Sequence, residues 1–300
     1  MHTNRFLRRN LASLYRPWRT TDVPAMVMFC LLVAGFFGSC AFAAPSWPES
    51  LGMPQAPNTD IRRLDNDGFV VGYDRASARA AWVAYRLTAV ADYVNRPRPP
   101  FIADPRLQVH ADTAIYDGPD YDRGHLAPNY AMSQLYGARA QRQSFYYSNI
   151  APQRPRLNQL VWQRLEEIEI DDIAAHNSPL WVMLGPIAAD SKDRPVAFFR
   201  IWLARDATGA WQSMAFIVPQ SVRGDEPLSR FLVSVDRIEA LTGLDFLPAL
   251  SLSRQARLEQ SAAPVRRFGL AALACTPARY AARWRDRDGI RLNFERCGDS

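Results

Sequence analysis

The chain has 300 residues, of which 48% are hydrophobic and 22% charged, as in an ordinary globular protein with one large domain or two small ones. Its net charge of +6 is concentrated near the N-terminus, where the first 44 residues carry five arginines against one aspartate. The rest of the chain is only mildly basic, so charge alone neither requires nor excludes a nucleic-acid partner.

Residues 1–44 have the layout of a secretory signal peptide. A basic start is followed by fourteen uncharged, mostly apolar residues (25–38) and by an Ala-x-Ala cleavage motif. The basic region is longer than usual, and residues 25–44 approach the roughly 20 needed to span a bilayer, so an uncleaved signal anchor is the main alternative. Acylation of Cys40 is a weaker one, because the residue three positions earlier is aromatic. All three predict an exported protein, either periplasmic or secreted, or anchored in the inner membrane if the signal is uncleaved.

Cysteine usage agrees with export. Outside the leader the sequence contains only Cys275 and Cys297. In an oxidising compartment this pair would close a C-terminal disulfide, whereas two free thiols are the alternative. The number of cysteines and their separation give no zinc-binding pattern.

The first half of the chain predicts a linker, then strands, then a rigid loop. Residues 45–64 are rich in proline and polar residues, which is typical of an extended linker. From 68 to 88, alternating β-branched and aromatic residues predict strands. Residues 95–105 contain four prolines and can form neither a helix nor a central strand. A short strand is predicted over residues 145–150.

The clearest helix is predicted from residue 158 to about 175, where one stripe of apolar residues runs along the helix. Three further strands are predicted, at 180–184, 196–203 and 211–218. A helix over 228–241 should end at Gly243. This mixed order predicts an α+β domain with a mainly antiparallel sheet. The sequence has neither GxGxxG nor GxxxxGK[ST], which argues against a nucleotide cofactor.

One of the four histidines lies in the segment Tyr-Asp-Arg-Gly-His-Leu-Ala-Pro-Asn-Tyr-Ala-Met, residues 121–132. Because the ordinary pKa of imidazole lies nearest neutrality, His125 is the first candidate for a general base. A base that activates water against a phosphodiester also needs a cation and charged donors. Asn158 opens the predicted helix, and Glu166 and Glu169 follow about 80° and 20° further round it, on the same flank. Magnesium requires only one or two protein oxygens.

Each of these residues also has a purely structural interpretation. His125 could be a buried histidine bonded to Asp122. Asn158 could be only a helix N-cap, a position that asparagine favours. Glu166 and Glu169 could belong to a solvated helix face.

The segments Asp122-Arg-Gly-His125, Ser148-Asn-Ile-Ala-Pro-Gln153 and Asn158…Trp162…Glu166 together resemble the DNA/RNA non-specific endonuclease family, which includes Serratia-type and endonuclease G-like enzymes. The resemblance implies a ββα-metal nuclease fold, an α+β architecture whose central, mainly antiparallel sheet is flanked by helices. The domain boundaries then become a signal peptide or signal anchor over 1–44, a linker over 45–64, an endonuclease domain over 65–250 and a C-terminal extension over 251–300.

The resemblance also implies a role for the residues that match the family motifs. His125 would be the general base, and Asn158 would be the direct ligand of Mg²⁺, with Mn²⁺ as the alternative ion. Glu166 would hold the waters around the metal. Asn149 would order the site.

Two arginines complete the implied site. Arg123 would contact the phosphate, and an arginine of the upstream loop would stabilise the charge of the transition state. Arg98 matches that second position best, with Arg96 as a near competitor. The chain departs from the family pattern at Ile170, where some secreted members carry an arginine, and at Arg200, where members often carry a lysine.

Together with the leader, the resemblance predicts an exported, Mg²⁺-dependent endonuclease that cleaves DNA and RNA, and it implies products with 5′-phosphates. Binding through backbone phosphates would make it insensitive to sequence. Two alternatives remain, a catalytically silent nucleic-acid-binding or cell-surface module on the same fold and a phosphodiesterase for a small substrate. The sequence does not decide between DNA and RNA preference or between a monomer and a homodimer, nor whether an inhibitor exists.

Overall fold

The structure is a computed structural model that describes residues 47–108, 113–116, 118–177, 179–188, 194–284 and 291–294. The described residues belong to one structural unit that spans 41–300. The predicted leader and Cys297 lie outside the described residues. Within these ranges, no helix is both long enough and apolar enough to cross a membrane.

In the described part of the chain, nine strands form two sheets. They are β1 (Ile61–Asp65), β2 (Phe69–Asp74), β3 (Arg79–Leu87), β4 (Asp122–His125), β5 (Ile150–Gln153), β6 (Leu180–Ala188), β7 (Pro195–Arg205), β8 (Trp211–Pro219) and β9 (Leu232–Val233). The larger sheet has the order β1-β2-β3-β6-β7-β8-β9, and all its neighbouring strands are antiparallel. Strands β4 and β5 pair with each other as a separate antiparallel ribbon.

Helices surround the sheets. The regular ones are α1 (Asn129–Ser144), α2 (Gln163–Ile168), α3 (Ala174–His176), α4 (Val235–Thr242), α5 (Leu252–Glu259) and α6 (Leu270–Leu273). Wider π-helical turns at Leu157–Trp162 and Glu169–Ile173 join α2 and α3 into one continuous helical segment, residues 157–176, named here the site helix.

The large sheet is buried on both faces. Side chains alternate along a strand, so Phe198 and Trp202 of β7 enter one hydrophobic core with the site helix and α1. Phe199 and Ile201 enter a second core, with α4. Since both faces are covered, β7 has an almost continuous apolar sequence instead of an alternating one. The α+β class and the antiparallel sheet predicted from the sequence are confirmed.

Several element boundaries differ from the sequence-based predictions. Within the expected linker, Leu51 is fully buried in the second core and β1 begins at Ile61, so ordered structure starts before residue 65. Helix α1 was not predicted, and Gly137 interrupts its helical geometry with a φ of 87°. The strand expected over 145–150 begins only at Ile150, after a 3-10 turn.

The helix predicted over 228–241 begins seven residues late. Residues Leu228–Phe231 form a 3-10 turn, and strand β9 follows. Ser234 then caps the N-terminus of α4 by accepting a hydrogen bond from the backbone N–H of Arg237. Gly243 ends α4 in the left-handed conformation, as the sequence predicted.

Candidate active site

His125 lies at one end of the β4–β5 ribbon. His125 is the last residue of β4 and pairs with Ile150, the first residue of β5. The preceding residue has to be glycine, because a Cβ at Gly124 would lie 2.1 Å from Oε1 of the buried Gln153. The Arg-Gly-His sequence therefore reflects the close packing of the strand that presents the histidine.

The imidazole of His125 is enclosed by aromatic rings. Its centroid lies 4.6 Å from that of Phe145 and 5.5 Å from that of Phe101. This burial, together with the positive charge of Arg98, lowers the pKa of His125 to about 3. The ring is therefore neutral at physiological pH, and the neutral ring is the form that can accept a proton.

Asn149 ties the loop after His125 to the rest of the ribbon. Its side chain is fully buried, accepts a hydrogen bond from the N–H of Ala127 at 2.9 Å and donates to the carbonyls of Ala127 and Ser144. Its own carbonyl accepts from the N–H of Leu126 at 2.9 Å. These bonds fix the chain that directly follows the histidine, so Asn149 helps to position His125.

The first turns of the site helix carry Asn158 and Glu166. Nδ2 of Asn158 donates to Oδ2 of Asp122 at 2.8 Å, and Gln159 donates to the same oxygen at 2.7 Å. Asp122 thus holds the donor end of the Asn158 amide. Oδ1 of Asn158 is left as the atom that can bind a cation. Each residue of a π turn rotates by less than the ~100° of an α-helix, which reduces the expected offset between Asn158 and Glu166.

Glu166 is a half-buried carboxyl group that lines the same cleft as His125. Burial raises its pKa to about 8, and Glu167 and Glu169 add to this while Arg200 opposes it. A divalent cation would stabilise the ionised form of such a group. The amide oxygen of Asn158 and the carboxylate of Glu166 are hard oxygen donors, which fits Mg²⁺, an ion that needs only one or two protein ligands.

The two candidate arginines of the upstream loop lie in different places. Arg98 lines the cleft, with its guanidinium 5.6 Å from the ring centroid of Phe145. Arg96 instead donates to the carbonyl of Ser133 in α1 at 2.7 Å and is not among the cleft residues. The geometry therefore favours Arg98 over Arg96 as the arginine nearest the base.

Arg123 also lines the cleft, above a group of aromatic rings. Its guanidinium lies 5.4 Å from the ring centroid of Tyr116 and 5.9 Å from that of Phe101. Its Nε is 3.3 Å from the hydroxyl of Tyr147. The side chain is thus supported by aromatic surfaces while it borders the space next to His125.

These residues share one cleft of about 830 Å³. Of the six residues predicted from the sequence, the cleft is lined by Arg98, Arg123, His125, Asn158 and Glu166. Asn149 lies behind the cleft wall, fully buried. The interpretation of His125 as a histidine bonded to Asp122 is not supported, because that carboxylate accepts hydrogen bonds from Asn158 and Gln159.

Glu169 does not join this cleft, although the sequence placed it on the same flank as Glu166. It is fully buried, pairs with Nε of Arg200 at 3.0 Å and accepts hydrogen bonds from Tyr85 and Trp202. Arg200 lies 4.2 Å from the ring centroid of Trp162. The interpretation of Glu169 as part of a solvated face is wrong, because this carboxylate joins the site helix to the sheet.

Two sets of cleft residues were missed by the sequence analysis. The first is aromatic and comprises Tyr93, Phe101, Tyr116, Tyr121 and Tyr130. The second belongs to the C-terminal part of the chain and comprises Arg279, Tyr280, Arg283 and Trp284. The second set lies more than 100 residues from the motif residues, so no local spacing could connect them. Its alternating arginines and aromatics were the only available signal.

A separate group of three carboxylates has the spacing of a possible cation site. Asp236 and Glu239 of α4 and Glu259 of α5 place ligand oxygens within 4.8 Å of one another. None of them lines the cleft around His125. The donor set for the predicted catalytic metal is therefore distinct from this group.

Comparison with known proteins agrees with the geometry. The family model described as DNA/RNA non-specific endonuclease matches residues 50–253. Mitochondrial endonuclease G of Bos taurus is 28% identical over 234 residues, which cover 70% of this chain and 76% of that protein. Nuclease C1 of Cunninghamella echinulata var. echinulata is 28% identical over 222 residues, 66% of this chain and 87% of that protein.

A solved structure supports the fold. The crystal structure of EndoG in complex with EndoGI superposes with a TM-score of 0.56 and 23% sequence identity, over 65% of this chain and 88% of the EndoG chain. The family match covers two thirds of the chain and includes every motif residue of the cleft. On this evidence the chain belongs to the DNA/RNA non-specific endonuclease family and is a nuclease of that class.

Proposed function

We propose that this protein is an exported, Mg²⁺-dependent endonuclease that cleaves both DNA and RNA and leaves 5′-phosphates. The observation that supports this most strongly is the single cleft that His125, Asn158 and Glu166 share with two arginines. A silent module would have no need of a neutral histidine and an oriented amide oxygen in one cleft. A cleft of about 830 Å³ also has room for more than the small diester of the alternative interpretation.

In the proposed reaction, His125 accepts a proton from the attacking water as its oxygen bonds to phosphorus. The bond from phosphorus to the 3′-oxygen then breaks, and that oxygen leaves with a proton supplied by solvent. Arg98 and Arg123 stabilise the negative charge that develops on the phosphate oxygens. Phe101 and Phe145 exclude water from the sides of the imidazole.

Asn158 and Glu166 would hold the metal ion, which neutralises phosphate charge when bound. Asn158 would bind it through Oδ1, since Asp122 holds the other end of the amide. Glu166 would orient the waters around it. We propose Mg²⁺ as the physiological ion, and Mn²⁺ would suit the same oxygen donors.

The decisive measurement is nicking of supercoiled plasmid and degradation of RNA by residues 45–300. We expect Mg²⁺ to support cleavage of both substrates and EDTA to abolish it. His125→Ala should lower the rate by about 10²–10⁴-fold, the usual contribution of a general base. The matched control is His176→Ala, which removes an exposed histidine at the end of the site helix. Equal activity of His125→Ala and the wild type would rule out the proposed base.

Export is a further part of the proposal. We propose a disulfide between Cys275 and Cys297, which would suit an oxidising compartment. Intact-mass measurement of protein recovered from the periplasm and the medium should show loss of residues 1–44 and of two protons at the cysteines. Retention of the full mass in the membrane fraction would support the signal anchor instead. A full-length protein found only in the cytoplasm would contradict export, and size-exclusion chromatography of the same sample would separate a monomer from a homodimer.

A further inference from the structure

The segment 276–284, here called the C-terminal wall, lies beyond the family-matched region and is fixed to the site helix. The buried Arg164 donates from Nε to the carbonyl of Thr276 at 2.7 Å. The backbone N–H of Arg279 donates to Glu167 at 2.9 Å, and its guanidinium pairs with Asp171. The wall is thus attached to the helix that carries Asn158 and Glu166.

Apolar contacts also hold the wall in place. Ala278, Ala281 and Trp284 are buried and form a small hydrophobic cluster with Leu160 of the site helix. Leu160 is itself fully buried. The backbone of the wall therefore has a defined position beside the cleft.

The wall presents arginine and tyrosine side chains to the cleft. Arg279, Tyr280 and Arg283 line the same space as His125. The guanidinium of Arg283 lies 4.4 Å from the ring centroid of Tyr280, whose side chain remains 49% exposed. Among the described residues Arg283 forms no ion pair, so its charge is available to a ligand.

A second aromatic group continues this surface across the cleft. Arg279 lies 5.5 Å from the ring centroid of Tyr130, and Tyr130 lies 6.4 Å from Tyr93. Tyr93 is 66% exposed. Exposed aromatic rings interleaved with arginines are the features with which proteins bind single-stranded nucleic acid, because bases stack on the rings and phosphates bind the cations.

We propose that the C-terminal wall is a binding subsite for single-stranded nucleic acid, in which an unpaired base stacks on Tyr280 and a phosphate binds Arg283. The proposal rests on the nuclease function, because the strand bound there would be the one that passes His125. It also predicts a preference: a duplex keeps its bases stacked in the helix and cannot offer one to Tyr280. Single-stranded substrates should therefore depend on the wall more than duplexes do.

The test uses the full exported chain in the His125→Ala background, so that binding is measured without cleavage. Fluorescence anisotropy with a labelled single-stranded DNA and with its duplex gives the two dissociation constants. Tyr280→Leu, which keeps an apolar side chain but removes the ring, should weaken single-strand binding about tenfold and duplex binding less than twofold. Tyr280→Phe should restore single-strand binding.

Arg283→Ala tests the phosphate contact, and Arg205→Ala is its matched control. Arg205 also stacks on an aromatic ring, at 4.3 Å from the ring centroid of Trp211, but it does not line this cleft. Arg283→Ala should weaken single-strand binding several-fold, and Arg205→Ala should leave it unchanged. Equal losses for the two arginine variants, or equal losses on single strands and duplexes for Tyr280→Leu, would overturn the proposal.

The outcome is separable from that of the proposed function. If the wild type cleaves no nucleic acid but Tyr280→Leu still loses single-strand binding, the subsite stands and the nuclease proposal fails. If the wild type cleaves plasmid and RNA while Tyr280→Leu binds single strands normally, the nuclease proposal stands and the subsite proposal fails. Thermal melting of each variant shows whether a loss of binding reflects unfolding.

Discussion

Asp122 shows how a residue without a catalytic role of its own can decide what a neighbouring side chain does. An asparagine amide has a donor end and an acceptor end, and only the acceptor binds a cation. Because Asp122 accepts from Nδ2 of Asn158, the amide is held in one orientation. Gln159 donates to the same oxygen and strengthens this arrangement.

Asp122→Ala should therefore weaken metal binding more than it harms the chemical step. We expect the Mg²⁺ concentration for half-maximal plasmid nicking to rise about 10–100-fold, the usual effect of removing a partner of a metal ligand. Saturating Mg²⁺ should restore most of the rate. The measurement is the initial nicking rate as a function of Mg²⁺ concentration.

Asp122→Asn is the matched variant for this experiment. An asparagine at this position keeps an acceptor oxygen for Asn158, so its Mg²⁺ requirement should lie between those of the wild type and Asp122→Ala. A lower maximal rate with an unchanged Mg²⁺ requirement would show that Asp122 acts in some way other than by orienting Asn158.

At the scale of elements, the position of the site helix depends on a buried ion pair. Glu169 of the site helix and Arg200 of β7 are both fully buried and lie 3.0 Å apart. Burial raises the pKa of Glu169, which Arg200 opposes. A charge in such a place is tolerated only while its partner is present.

Arg200→Met should destabilise the protein by about 3–5 kcal/mol at neutral pH, because it leaves the carboxylate of Glu169 buried and unpaired. In this variant the pKa of Glu169 lies above that of the unfolded chain. The loss of stability is therefore fully present at high pH. It shrinks as the pH falls, because Glu169 of the folded protein then binds a proton. Urea unfolding of wild type and variant at pH 7.5 and pH 5 measures the change.

Arg205→Met provides the comparison, since it removes an exposed arginine from the same strand. It should cost less than about 1 kcal/mol at either pH. If Arg200→Met showed the same pH-independent loss as this surface variant, the ion pair would contribute nothing to holding the site helix.

At the scale of the whole molecule, the sequence predicted the parts whose signal is local. Strands β6 to β8 and the site helix have long apolar patterns, and they were found where expected. His125, Asn158 and Glu166 were found in one cleft because they lie on one ribbon and the helix that follows it. Helix α1 escaped prediction because Gly137 interrupts its pattern.

Contacts between segments that lie far apart in the sequence could not be predicted. Nothing in the spacing of Glu166 and Glu169 shows that one faces the cleft and the other pairs with Arg200 in the sheet. The two glutamates face different surroundings because π-helical turns change the rotation along the site helix and because β7 places Arg200 beside Glu169. The packing of Leu51 into the second core and of Tyr280 beside the cleft likewise depends on segments brought together only by the complete fold.

The C-terminal wall is the last part of the proposed site to be synthesised. His125 and Asn158 emerge from the ribosome more than 100 residues before Tyr280 and Arg283. A partly made chain thus contains the proposed base before it contains the surface to which we assign strand binding. A protein truncated before residue 276 would by the same argument keep His125 and Asn158 but lose the proposed single-strand subsite.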